Sequence, residues 1–252
     1  MRNIYPKYDM RQFLDIVTQL SEAPRAETLS QRHAKLLLSH LEAARGQLAD
    51  VLRLNPWLIG VCQQAAQERL GERFTVYRAI SVTDELRGDA VASTSLDWRV
   101  AFDILQESPG MIWHKGTTIS PRKVLLRYDL DPSKVVLWMP IALEFARTAV
   151  AGKEHQGVEN RHGGRTQIAK ILAAIDARNE QEVVADLTGL TPAILEFEGS
   201  VKGQEFAAVF EAVMTGALPG DLKRWRNENH IVFIDDDTIW NQIETIRNWV
   251  SE

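Results

Sequence analysis

Cysteine is almost absent from this chain. Cys62 is the single cysteine among 252 residues, so the chain can form no intramolecular disulfide and no cysteine-rich zinc site. A chain of this length removes about 70% of its unfolded surface from water on folding, and its core needs no such covalent support. Scarce cysteine is typical of the reducing cytosol, and we expect a cytoplasmic location.

Long apolar runs are also absent. No stretch approaches the roughly 18 residues that a membrane-spanning helix needs. Residues 1–7 lack the apolar segment of a secretory signal peptide. Glycine and proline number only 15 and 9, which excludes collagen-like and low-complexity chains. The sequence therefore predicts an ordinary globular protein without a membrane segment.

Positive charge is in slight deficit. The 29 lysines and arginines are outnumbered by 34 aspartates and glutamates, which gives a formal net charge of −5. Domains that bind the phosphate backbone of nucleic acids are usually strongly basic. The charge therefore argues against a general nucleic-acid binder and favours small molecules or proteins as partners.

The pattern of apolar residues changes near residue 74. Residues 9–70 carry apolar side chains at three- and four-residue spacing, which predicts helices, and Gly71 closes the last of them. Residues 74–80 alternate and are rich in β-branched and aromatic side chains, which predicts a strand. We expect an N-terminal helical region over 1–72 and a second domain over 73–252.

The second domain is predicted to mix strands and helices. Its predicted strands lie at 74–80, 89–95, 123–130, 134–139 and 230–234, and its predicted helices at 96–107, 141–151, within 165–218 and at 239–250. Thr191-Pro192 is predicted to open one of these helices. The region of about 141–225 is thus predicted as a helical insertion, and the predicted fold class is α+β.

Two short motifs lie on the first two predicted strands. Tyr77-Arg78, followed by Ala79, lies on the first, and the triplet Ser93-Thr94-Ser95 lies on the second, just before a predicted helix. A guanidinium can donate a planar pair of hydrogen bonds to a phosphate. Small hydroxyls can hold a carboxylate and a sugar without crowding them. The alternative interpretation is an exposed arginine at a sheet edge and a serine that caps the helix.

The order and spacing of these motifs resemble the Arg-Ser-Glu group of NAD-dependent mono-ADP-ribosyltransferases. In that family an aromatic–Arg pair is often followed by glycine, where this chain has Ala79, and Ser-Thr-Ser runs into a helix. The resemblance covers about residues 74–140 and 225–240. It implies a split β-sandwich core with NAD⁺ in a cleft between two β-sheets. The implied activity is transfer of ADP-ribose from NAD⁺ to a macromolecular acceptor, with release of nicotinamide.

The resemblance also implies a role for each motif residue. Tyr77, Arg78 and the triplet Ser93, Thr94 and Ser95 would bind NAD⁺, with the Arg78 guanidinium on the phosphates. Ser93 would hold the catalytic carboxylate beside the ribose. Cleavage of the nicotinamide–ribose bond develops positive charge on the sugar, which a carboxylate stabilises as it does in glycosidases. Arg78, Ser93 and one glutamate are therefore the predicted catalytic residues.

The third family motif is a glutamate, often within Glu-X-Glu, at the edge of a later apolar strand. Glu228 precedes the predicted strand 231–234 and is the first candidate. His230 then occupies the position of the second, catalytic glutamate of the motif. Glu159 is the runner-up, although no apolar strand follows it. Glu196-Phe197-Glu198 matches the motif literally but lies within a predicted helix.

Three functions are compatible with the sequence. The first is the mono-ADP-ribosyltransferase, with NAD⁺ as substrate and a protein as the expected acceptor, nucleic acid being the alternative acceptor. The second is a non-catalytic binding module on the same fold, which Ala79 and His230 favour. The third is an NAD glycohydrolase, with water as the acceptor. No metal site is predicted, because His155, His162 and His230 lack a metal-binding spacing.

Overall fold

A computed structural model describes most of the chain from residue 56 onward and a few earlier positions. The described residues are 31, 34, 35, 38, 56–82, 91–107, 112–114, 116–159, 164–178, 181–197, 204–217, 222–228 and 236–251. In this part of the chain, no helix is both long and apolar enough to cross a membrane.

The first described elements follow the sequence prediction closely. They are α1 (Pro56–Leu70), β1 (Phe74–Val82), β2 (Val91–Ser95), α2 (Trp98–Glu107), β3 (Ile112–His114), β4 (Thr117–Ile119) and β5 (Arg122–Leu130). Pro56 suits the first turn of α1, and Gly71 ends it with a φ of 90° that other residues rarely adopt. The predicted strand at 74–80 is confirmed, and the hairpin of β3 and β4 was not predicted.

The remaining elements begin with a turn that Asp131 caps. A 3₁₀ turn at Pro132–Lys134 is followed by β6 (Val135–Trp138), α3 (Met139–Val150), β7 (Gly157–Glu159), β8 (Arg165–Gln167), α4 (Ile168–Arg178), β9 (Glu182–Asp186), β10 (Ala193–Phe197), α5 (Gln204–Met214), α6 (Leu222–Glu228) and α7 (Asp236–Ser251). The Asp131 side chain accepts a hydrogen bond from the backbone N–H of Ser133 at 3.0 Å.

Six strands form one antiparallel sheet, in the order β10-β5-β1-β2-β9-β6. Two small hairpins, β3-β4 and β7-β8, stand apart from it. The described residues thus contain both helices and an antiparallel sheet, and the predicted α+β class is confirmed.

The prediction of a helical insertion over about 141–225 is wrong, because this segment contains four strands. In β9, Val183, Val184 and Ala185 are all 0% exposed. A short, continuous apolar run is typical of a strand buried on both faces, and its periodicity alone cannot distinguish it from a buried helical turn. β9 lies between β2 and β6 in the sheet, and the whole of its apolar run is buried.

The second misassigned strand in this segment is β10. Leu195 and Phe197 are buried, whereas Ile194 is 43% exposed and Glu196 is also exposed. This two-residue alternation is that of a strand with one buried face. Thr191-Pro192 therefore precedes a strand, and the prediction that it opens a helix is wrong.

The chain divides into two compact units, each discontinuous in sequence. Unit 1 comprises residues 1–76, 88–97 and 129–189, and unit 2 comprises residues 77–87, 98–128 and 190–252. The division passes through β1 between Val76 and Tyr77.

In unit 1, α1 packs against β6 and the preceding 3₁₀ turn. The Gln63 amide donates hydrogen bonds to the carbonyls of Ser133 and Val135, both at 3.0 Å. The preceding residue is Cys62, whose buried thiol donates to the Trp138 carbonyl with a donor–acceptor distance of 3.8 Å. These contacts attach the helix along the whole length of β6.

Aromatic rings dominate the core of unit 2. Phe102 of α2 and Phe210 of α5 stack with ring centroids 4.5 Å apart, and Trp98 meets Phe210 edge-on at 5.1 Å. The α7 helix covers this core with isoleucines, as its sequence predicts. Trp249, only 2% exposed, ends the buried face, whereas Val250 is 42% exposed.

Candidate active site

Two neighbouring strands of unit 1, β2 and β9, bring a serine and a glutamate together. The strands are antiparallel, with Ser95 opposite Glu182 and Ser93 opposite Val184. Because side chains alternate along a strand, Ser93, Ser95 and Glu182 share one face of the pair. Diagonal neighbours on such a face lie within side-chain reach. The Ser93 hydroxyl indeed donates a hydrogen bond to Oε1 of Glu182.

This pair is accessible to a ligand. Ser93 is exposed and Glu182 is partly buried. A hydroxyl that donates to a carboxylate makes a charge-assisted hydrogen bond, which is stronger than a neutral one and restricts rotation of the carboxylate. A carboxylate fixed at an accessible strand end can stabilise positive charge that develops on a bound sugar.

The other two hydroxyls of the triplet have different partners. Thr94 points to the opposite face, is 4% exposed, and donates through Oγ1 to the Val183 carbonyl at 2.6 Å. Ser95 is 5% exposed, and its Oγ accepts a hydrogen bond from the backbone N–H of Asp97 at 3.0 Å. Ser95 thereby closes the turn that leads from β2 into α2. Each hydroxyl of the triplet thus has its own structural task.

Tyr77 and Arg78 lie on β1, in the strand that the sequence predicts. Both belong to unit 2, whereas the triplet Ser93-Thr94-Ser95 belongs to unit 1. The Tyr77 ring packs near Trp249, with centroids 6.0 Å apart, and Arg78 is partly buried. The role of Arg78 as a phosphate ligand stays a prediction.

Glu228, the first candidate for the catalytic carboxylate, is the last residue of α6. Its carboxylate pairs with the Arg224 guanidinium one helical turn earlier, at 2.8 Å, and its side chain is 58% exposed. His230 and the predicted strand 231–234 lie outside the described residues. The strand context that favoured Glu228 is therefore not tested, and its catalytic role stays a prediction.

The other two predicted candidates lie on strands. Glu159 ends β7, opposite Arg165 of β8. Glu196 is on the exposed face of β10 and pairs with Arg122 at 3.1 Å. The Ser93 hydroxyl instead donates its hydrogen bond to Glu182, which was not among the predicted candidates.

Similarity to other proteins does not decide the function of this site. Comparisons with protein-family models, curated proteins and solved structures find no match for the chain. The site is therefore interpreted from its own geometry and from the motifs that it brings together.

Glu182 carries a sequence signal that the helical interpretation of residues 165–218 concealed. The segment Glu180-Gln181-Glu182 is a literal Glu-X-Glu, and the apolar run of residues 183–185 follows it directly. This is the family's pattern of a glutamate pair at the edge of an apolar strand. A strand prediction for the run would have placed Glu182 among the candidates.

Proposed function

We propose that the protein is an NAD⁺-dependent mono-ADP-ribosyltransferase of the Arg-Ser-Glu type, with the family's split β-sandwich. In this proposal Glu182 is the catalytic carboxylate, Ser93 holds it, and Arg78 binds the phosphates of NAD⁺. The observation that carries the proposal is the hydrogen bond from Ser93 to Glu182 between adjacent strands. It joins the serine motif to a Glu-X-Glu that the sequence places 89 residues later.

The proposed chemistry uses the negative charge of Glu182. The bond between ribose C1′ and the nicotinamide nitrogen breaks, and its electron pair leaves with nicotinamide, which becomes neutral. The positive charge that remains on the ribose is stabilised by the carboxylate. A lone pair of the acceptor then forms the new bond to C1′, and the acceptor releases a proton. Ser93 keeps the carboxylate oriented throughout, so that no reorientation is needed as charge develops.

The geometry favours this function over a non-catalytic binding module. The module hypothesis depended on a missing carboxylate, because His230 stands where the sequence-based alignment places the catalytic glutamate. Glu182 supplies a carboxylate that the serine motif already holds. The glycohydrolase differs only in its acceptor, and the choice between water and a macromolecule depends on what reaches C1′.

The test compares two glutamate variants of the full chain. The protein is incubated with NAD⁺ labelled in its adenylate part, with and without a cell lysate, and both nicotinamide release and macromolecular label are measured. Glu182→Gln keeps the side-chain shape but removes the charge, so turnover should fall by about 10²–10³-fold. NAD⁺ affinity should change far less, because the loss is felt in the transition state.

Glu228→Gln is the matched control. It makes the same chemical change at an exposed helix position whose partner is Arg224, and it should keep parental turnover. An inactive Glu228→Gln beside an active Glu182→Gln would restore the first candidate and refute Glu182. Nicotinamide release without label would identify a glycohydrolase, and neither product from the parent would favour the binding module.

A further inference from the structure

We infer that Thr94 is the positioning residue for the Glu182 carboxylate, acting through the backbone of β9. This inference rests on the proposed function, since it assigns Thr94 to the reaction in which Glu182 takes part. Thr94 itself lies on the opposite face of β2 from Ser93 and contacts no reacting atom in the proposal. Its effect is on where the main chain holds Glu182.

The first observation is a buried hydrogen bond to the residue that follows Glu182. Thr94 stands directly opposite Val183 in the strand register, and its hydroxyl donates to the Val183 carbonyl at 2.6 Å. Thr94 is 4% exposed and Val183 is 0% exposed. Water therefore cannot easily replace this donor, and its loss should be felt in the position of the chain.

The second observation is a hydrogen bond to the residue that precedes Glu182. The backbone N–H of Leu96 donates to the Gln181 carbonyl at 3.0 Å, beyond the last paired residue of β2. The carbonyls on both sides of Glu182 are thus held by residues 94 and 96 of the same segment. With both neighbours fixed, the direction in which the Glu182 side chain leaves the strand is fixed as well. We call these two hydrogen bonds, to the carbonyls of residues 181 and 183, the clamp on Glu182, and Thr94 provides its side-chain donor.

A role in positioning and a role in packing predict different results for one substitution. Valine has nearly the shape of threonine and favours strands as strongly, so a residue that only fills the core should tolerate it. Valine cannot donate to the Val183 carbonyl, so a residue that positions β9 should not tolerate it. Serine keeps the hydroxyl and loses only a methyl group.

The kinetic experiment measures NAD⁺ cleavage by the parent, Thr94→Val, Thr94→Ser and a control. Thr94→Val should lower kcat by about 10-fold, the scale of one buried hydrogen bond, with KM for NAD⁺ changed less than about twofold. Thr94→Ser should recover most of that loss. The control is Thr75→Val on β1, which removes the 2.8 Å hydrogen bond from Thr75 to Asp129 and should leave both constants unchanged. A Thr94→Val variant with parental kcat, or an equal loss in Thr75→Val, would overturn the inference.

Amide hydrogen exchange of β9 tests the same inference without using activity. Thr94→Val should speed exchange at residues 182–184 by about 10-fold relative to the parent, whereas Thr94→Ser and Thr75→Val should not. If the parent fails to cleave NAD⁺ but this pattern is seen, the proposed function fails while the clamp on Glu182 stands. If exchange in β9 is unchanged by Thr94→Val, the clamp is refuted whatever the activity.

Discussion

From the hydrogen bond between Ser93 and Glu182 we predict how substitutions of the two residues combine in their effect on kcat. If Ser93 works only by holding the carboxylate, its removal should matter only while the carboxylate is present. A double-mutant cycle with Ser93→Ala and Glu182→Gln measures this dependence directly. Both partners are on one strand pair, and neither substitution introduces a larger side chain.

The size of the effect follows from the geometry. A hydrogen bond to a charged group contributes about 1.5–3 kcal/mol, and a factor of ten in rate is about 1.4 kcal/mol. Ser93 is exposed, so water can partly replace it and we expect the lower part of that range. Ser93→Ala should therefore lower kcat by about 10–30-fold, and Glu182→Gln by about 10²–10³-fold.

The decisive measurement of the cycle is the kcat of the double variant. We expect its kcat to lie within about threefold of that of Glu182→Gln alone, because Ser93 has no charged carboxylate left to hold. Independent action would instead multiply the two losses. The control cycle uses Thr75→Val and Asp129→Asn, which removes a second hydroxyl–carboxylate bond of 2.8 Å in unit 1, and should show parental rates throughout. Multiplicative losses at Ser93 and Glu182 would refute the reasoning.

Two further predictions concern groups outside the site. Burial raises the pKa of the Cys62 thiol to about 12. Native protein at pH 8 should therefore react with iodoacetamide at least ~10²-fold more slowly than the urea-unfolded chain, as measured by mass spectrometry. Rapid labelling of the native protein would contradict this prediction. The hydrogen bond from the Ser133 side chain is the main cause of a lowered pKa at Asp131. Asp131→Ala should therefore lower the free energy of unfolding by about 0.5–1 kcal/mol at pH 7, measured in urea. This difference should shrink as the pH falls below the ordinary Asp value of 3.8 and through the lower folded pKa, and a difference that grows in acid would refute the assignment.

Much of the first half of the fold could be predicted from local pattern. Alternating residues gave β1, and a proline and a glycine bracketed α1. The serine triplet was correctly placed at the end of a strand, just before a helix. The sequence pattern that predicts each of these elements lies within a few consecutive residues. Residue spacing and capping residues are therefore sufficient to predict them.

The choice of Glu182 as the proposed catalytic carboxylate depends on the pairing of strands far apart in sequence, which the local sequence pattern does not contain. Val183, Val184 and Ala185 form an apolar run that suits a buried helix as well as a strand buried on both faces. Only the pairing of this run with other strands decides between the two. The pairing of Ser93 with Glu182 joins positions 89 residues apart. The literal Glu-X-Glu before the run was the available signal, and it becomes informative only once the run is known to be a strand.

Ser93 and Thr94 point to opposite faces of β2, so the contact between Ser93 and Glu182 and the packing of the core depend on the same strand register. Ala92 and Thr94 are buried on one face of β2, while Ser93 is exposed on the other. A slip of one residue in the pairing of β2 would turn the exposed serine inward and the two buried side chains outward. Any misregistered form would thus lose its hydrophobic burial and its hydroxyl–carboxylate contact at once. Misfolded copies of the chain should consequently lack both the packed core and the Ser93–Glu182 pair.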